Sequence, residues 1–103
     1  MIRVLAKRRK SKVDWNIDYE FLVWVNHWFK EFRKNAKIDL EFHRYNYNDN
    51  VMTQKEIIDR IIQLTDNLTL GMSGNYFIAD EDVVSKVDEI FDLFHIVYWD
   101  MWW

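Results

Sequence analysis

Cysteine and proline are absent from this 103-residue chain, and glycine occurs only at Gly71 and Gly74. No cysteine means no disulfide framework, no Cys zinc site and no thiol nucleophile. Two glycines cannot build a Rossmann or P-loop phosphate cradle. They also leave few positions where the backbone adopts positive φ without cost. There is no run of eighteen apolar residues, the signature of a membrane-spanning helix. A signal peptide is not expected. The basic start runs into Lys12, Asp14, Asn16 and Asp18, where an apolar run would be required. These readings lead us to expect a cytoplasmic protein.

What the chain has in plenty is hydrophobic and aromatic residues. Half of it is hydrophobic, and seven Phe, five Tyr and six Trp supply a dense core for a short chain. This length corresponds to one domain, 1–103. The net charge of −3 is unevenly placed. Arg3, Lys7, Arg8, Arg9, Lys10 and Lys12 make residues 1–12 a basic strand or arm. Residues 80–103 hold seven acids and the single cation Lys86. The basic end can therefore meet an anionic partner or dock on the acidic third helix. Scarce Ala, Gly and Pro beside abundant Ile, Asn, Lys, Phe and Tyr resemble the products of AT-rich coding sequence, as in many phages and mobile elements.

The apolar spacing predicts a mainly α fold with three helices at about 18–35, 54–70 and 80–102. In the first, Asp18 is the expected N-cap, and Ile17 with Leu22 a hydrophobic staple. Phe21, Val25, Trp28 and Phe32 form its stripe, which Leu22, Trp24 and Phe29 widen. Asn35 is the expected left-handed terminator. Thr53-Gln54-Lys55-Glu56 opens the second helix as a capping box, with Met52 and Ile57 as staple. Gly71 should end it. Val83, Val87, Ile90, Phe94, Val97 and Met101 make the third stripe, flanked by Val84, Phe91, Tyr98 and Trp102. A helix reaching residue 102 would be about 34 Å long, so its last turns are expected to project from so small a body or to pack on a second copy. Phe21, Val25, Trp28, Ile61, Leu64, Val87, Phe91 and Phe94 are expected in the core.

Two short strands, near 2–7 and 38–45, are expected to pair on one side. In the second, Ile38, Leu40 and Phe42 point one way. Asn46–Asn50 reads as a loop. An α+β alternative adds Tyr76–Ile78 as a third strand.

No catalytic constellation stands out. Ser73 and Ser85 lack motif context, and Gly71-Met72-Ser73-Gly74 is not a nucleophile elbow. Asp92-x-x-His95, with Asp88 on the same face, imitates one half of a di-iron element, and His27 with Glu31 supply at best a fragment of the other. A solvated acid face is the plainer account, so no metal, cofactor or catalytic residue is assigned. Lys7, Arg8, Arg9, Lys10 and Lys12 are candidate anion-binding residues. Nucleic-acid binding through them, through Lys30, Arg33, Lys34 and Lys37, and by stacking on Tyr45 and Tyr47 is the second functional reading. The first is a non-catalytic protein–protein interaction protein, of the kind a phage or mobile element uses to modulate or inhibit a host complex. Its partner-binding candidates are Trp99, Trp102 and Trp103, three tryptophans within five residues. Trp102 continues the flanking row and should be partly buried, whereas Trp99 and Trp103 should face outward. A protein partner, a second copy of the chain, or both are expected, and no membrane.

Overall fold

The computed structural model describes residues 17–70 and 81–101. Helix α1 is Ile17–Asn35, strands β1 and β2 are Arg44–Tyr47 and Asn50–Thr53, α2 is Gln54–Leu70 and α3 is Glu81–Val97. A single 3-10 turn, Tyr98–Asp100, follows α3. The fold is mainly α, three helices with a two-stranded antiparallel sheet. The expected strand near 2–7, the basic residues Lys7 to Lys12, Tyr76–Ile78, Ser73, Gly71, Trp102 and Trp103 lie outside the described residues.

Helix α2 is the central element, and α1 and α3 both pack on it. Its Ile57, Ile58, Ile61, Leu64 and Leu68 are buried between Leu22, Val25, Phe29 and Phe32 of α1 and Ile90, Leu93 and Val97 of α3. The three- and four-residue spacing of these side chains puts them on one face of each helix, so burial follows directly from the sequence pattern. A polar clamp ties α1 to α2. Asn26 Nδ2 donates to Thr65 Oγ1 at 2.8 Å and to Asp66 Oδ1 at 3.0 Å, while Lys30 Nζ reaches the same oxygen at 2.9 Å.

The capping box forms as expected. Glu56 N–H donates to Thr53 Oγ1 at 3.1 Å, and Thr53 N–H donates to Glu56 Oε1 at 2.8 Å. The next orphan donors of α2 find partners in the preceding segment: Gln54 N–H bonds the His43 carbonyl and Lys55 N–H the Leu40 carbonyl.

That segment departs from the expected 38–45 strand. Asp39 Oδ1 accepts the Glu41 N–H at 2.9 Å, and the Asp39 carbonyl accepts from Phe42. This local turn competes with extended backbone, and it leaves Phe42 73% exposed beside buried Leu40. The strand begins only at Arg44. The expected Asn46–Asn50 loop is instead the tip of a hairpin, with Tyr47 opposite Asn50. Asn48 and Asp49 have φ of 51° and 64°. Two consecutive left-handed residues make the two-residue turn whose twist suits antiparallel strands, and Asn and Asp tolerate it best after glycine.

Other helix ends also differ. Helix α1 already includes Ile17, which is 44% exposed, and Asp18 Oδ1 accepts the adjacent Tyr19 N–H. Asn35 is not left-handed; its side-chain amide caps the Glu31 carbonyl at 2.9 Å. Helix α3 stops at Val97 rather than continuing to 102. Tertiary bonds hold the chain there. Tyr45 Oη donates to Asp100 Oδ2 at 2.6 Å, and Gln54 Nε2 donates to the Asp100 carbonyl at 2.9 Å. The end of α3 therefore closes onto the hairpin and the start of α2 instead of projecting. No helix of the described residues is long and apolar enough to cross a membrane.

Candidate functional site

Helices α1 and α3 each have more apolar surface than α2 can cover. On α1, Ile17, Phe21, Trp24 and Trp28 recur at 4-3-4 spacing. On α3, Val84, Val87, Phe91, Phe94 and Tyr98 recur at 3-4-3-4. Both rows lie beside the face that meets α2, and they border the seam between the two helices. Phe21 and Phe91 stack across it, ring centroids 5.4 Å apart and planes within 4° of parallel. Further along, Phe29 and Phe94 meet at 5.6 Å. Side-chain rings thus bridge the two helices.

Beyond these rings the seam opens into a cleft of about 510 Å³. Phe29, Phe32, Phe94 and Met101 line its inner part, and Trp24, Trp28, Tyr98 and Trp99 its outer part. Trp99 is 81% exposed, and Trp24, Trp28 and Tyr98 are each about half exposed. Edge-to-face contacts run along the margin, Phe94 to Tyr98 at 5.8 Å and Tyr98 to Trp99 at 5.0 Å. Edge-to-face packing is a preferred arrangement of aromatic pairs.

The sequence assigns Trp28 and Phe91 to the core, but both are half exposed. Val25, Ile61 and Leu64 are buried as expected, and Phe21, Val87 and Phe94 pack against the core from its edge. The excess is a matter of stripe width. A core face needs about 100° of a helix, and α1 is apolar well beyond that. Trp24 and Trp28 are the site residues that the sequence reading missed, and the wide stripe was their signal. Trp99 lies at the mouth of the cleft; Trp102 and Trp103 lie outside the described residues.

Acidic side chains stand near the seam. On α1, Glu20 and Glu31 stand on the same side as Trp24, and on α3 Asp88 sits one turn before Phe91. None of the three pairs with a cation among the described residues. Four of the helix cations are held in ion pairs. Lys30 pairs with Asp66, Arg33 with Asp59, Arg60 with Glu89 and Lys86 with Asp82. Of the four α1-region cations considered for nucleic acid, only Lys34 and Lys37 are outside these ion pairs. Tyr45 and Tyr47 are each half-buried. Their hydroxyls turn to α3 and the turn that follows it, Tyr47 to Asp92 and Tyr45 to Asp100. Burial, then the hydrogen bond and the negative charge of Asp100, push the Tyr45 phenol well above its ordinary range.

The row of Asp88, Asp92 and His95 gathers no further ligand. Among the described residues no group of three His, Asp or Glu side chains is placed to hold a metal ion. His27 packs edge-on against Trp28 at 4.8 Å. A second, smaller hollow of about 210 Å³ is lined by Ile38, Asp39, Phe42, His43 and Asp100. Comparison with family models, with curated proteins and with solved structures finds no match to this chain.

Proposed function

We propose that this chain is a non-catalytic protein-interaction module that docks a protein partner on the aromatic seam of α1 and α3. One observation carries the reading: Trp24, Trp28, Tyr98 and Trp99 form a continuous exposed margin around an apolar cleft. Contiguous exposed apolar surface normally marks an interaction site. Tryptophan and tyrosine supply large contact areas at little entropic cost, and they dominate interface energetics. The partner residues thus comprise Trp99, as the sequence suggests, with Trp24 and Trp28 added and Trp102 and Trp103 next in the chain. Composition supports a phage or mobile-element protein that modulates a host complex in the cytoplasm.

The test compares the full chain with a Trp24→Ser/Trp28→Ser/Trp99→Ser variant. Affinity capture with mass spectrometry and thermal unfolding are read on the same samples. The expected result is a partner lost from the variant while its melting stays near wild type. Capture that is indifferent to the three tryptophans, or a variant that unfolds early, would overturn the reading.

A further inference from the structure

Asp100 is held from two distant elements at once. Its carboxylate accepts from Tyr45 Oη of β1 at 2.6 Å, and its carbonyl accepts from Gln54 Nε2 at the start of α2 at 2.9 Å. Just before it α3 gives way to the turn Tyr98–Asp100, which Met101 leaves with φ −91° and ψ 78°. The Met101 N–H donates to the Tyr98 carbonyl at 3.5 Å, a long bond for an N–H donor. In a continued α-helix it would donate to the Val97 carbonyl instead.

Local sequence favours that continuation. No glycine or proline follows Gly74. Met101 stands four residues after the fully buried Val97 and seven after Phe94, so a longer helix would keep it on the core face of α3. The turn is a tertiary override of a local preference, and such a conflict narrows the gap between alternative states. The closed state also has a defect of its own. Gln54 is fully buried and its Oε1 has no partner, a costly condition that release into water would end.

The two states give the cleft different walls. Tyr98, Trp99 and Met101 line it opposite Trp24 and Trp28 of α1. A 3-10 turn advances about 120° per residue against about 100° in an α-helix, so three residues accumulate a difference of about 60°. Rewinding the turn would carry Trp99 and Met101 around the axis of α3 and away from their places in the cleft wall. We infer that Asp100 is a latch. Bound to Tyr45 and Gln54 it holds the end of α3 as a turn, and released it lets α3 wind on through Met101 and reshape the cleft. The latch acts on the shape of the cleft, whatever the cleft binds.

NMR on the full chain tests this, with the backbone Cα chemical shifts of residues 98–101 and the indole N–H signals of Trp24 and Trp28 as readouts. Tyr45→Phe/Gln54→Leu removes both bonds to Asp100 and keeps side chains of similar size. The expected result is a move of the 98–101 shifts to helical values, with displaced Trp24 and Trp28 signals. Tyr45→Phe alone should move the same signals the same way by a smaller step. Tyr47→Phe removes the neighbouring 3.4 Å bond from the hairpin to Asp92, within α3, and should leave them in place. Shifts at 98–101 that stay at wild-type values in the double variant, or that fall to random-coil values, would overturn the inference. So would a helical end with the Trp24 and Trp28 signals unmoved, or an equal response to Tyr47→Phe. If the α2 amide signals show that the double variant does not fold, Tyr45→Phe decides alone, and no movement toward helical shifts in it would overturn the latch.

Discussion

The Tyr45 hydroxyl donates a 2.6 Å hydrogen bond to Asp100 Oδ2 and so joins the hairpin to the turn that ends α3, across 55 positions of sequence. Tyr45→Phe should cost about 1–3 kcal/mol, the usual range for a bond to a charged group. A pH signature separates this bond from simple packing. The folded-state pKa lies above the ordinary value near 10. The linked stability is therefore complete below pH 10 and is lost as pH rises from there through the folded value. Wild type should weaken over that alkaline range more steeply than Tyr45→Phe in urea titrations. Parallel pH profiles would mean that the bond is absent.

Thr53→Ala should destabilise the domain by about 0.5–2 kcal/mol. The Thr53 hydroxyl and the Glu56 carboxylate each satisfy a backbone N–H of the other residue, at 3.1 and 2.8 Å. Since α2 is central to the core, the whole domain should report the loss as a lower denaturant midpoint with an unchanged slope. An unchanged midpoint would place the start of the helix elsewhere.

The Asp66 carboxylate is shared by Lys30 and Asn26, and the Lys30 bond, with help from Asn26, holds its pKa below the ordinary 3.8. A depressed folded pKa gives stability that is present above the unfolded value and lost as pH falls below it. Lys30 and Asp66 are half and about one-third exposed, so solvent screening limits the effect to about 1 kcal/mol or less. Asp66→Ala should flatten the acid limb of the stability profile below about pH 4 and lower neutral-pH stability only slightly. An acid limb as steep as that of wild type would sink the assignment.

The helices and the capping box were legible because their signals are local. Three- and four-residue spacing marks a buried face whatever lies opposite, and Thr53 and Glu56 find each other within one turn. The hairpin was less legible. Its strands are only four residues long, and the turn depends on Asn48 and Asp49 taking positive φ without glycine. The end of α3 was hidden for another reason. Nothing in Val97-Tyr98-Trp99-Asp100 breaks a helix, and the halt comes from Tyr45 and Gln54, which are distant in sequence. The exposed aromatic seam was half visible. Trp99 stood out because a helix end rich in tryptophan needs cover, whereas Trp24 and Trp28 merged with the core stripe. Periodicity gives the direction of a side chain around its own helix, and only the placement of α3 relative to α1 decides which apolar residues remain uncovered.

Gln54 is the polar residue on which the core can be tested most sharply. It is fully buried at the start of α2, three residues before Ile57 and seven before Ile61, on the face that enters the core. Its Nε2 donates to the Asp100 carbonyl, and its Oε1 has no partner. Gln54→Glu keeps the shape and changes only the chemistry. An ionised Glu at this position cannot donate to the carbonyl and stands near the Asp100 carboxylate without a cation, so its folded pKa must rise. The sign follows from linkage. Stability of the variant should be closest to wild type below the unfolded value of about 4.3, where the neutral acid can still donate, and should fall as pH rises toward neutrality. Near pH 7 the deficit should reach about 3–5 kcal/mol, the range for a buried charge without a partner. Chemical denaturation of both proteins at pH 4 and pH 7 measures it. A deficit that is the same at both values would show that the side chain at position 54 reaches water.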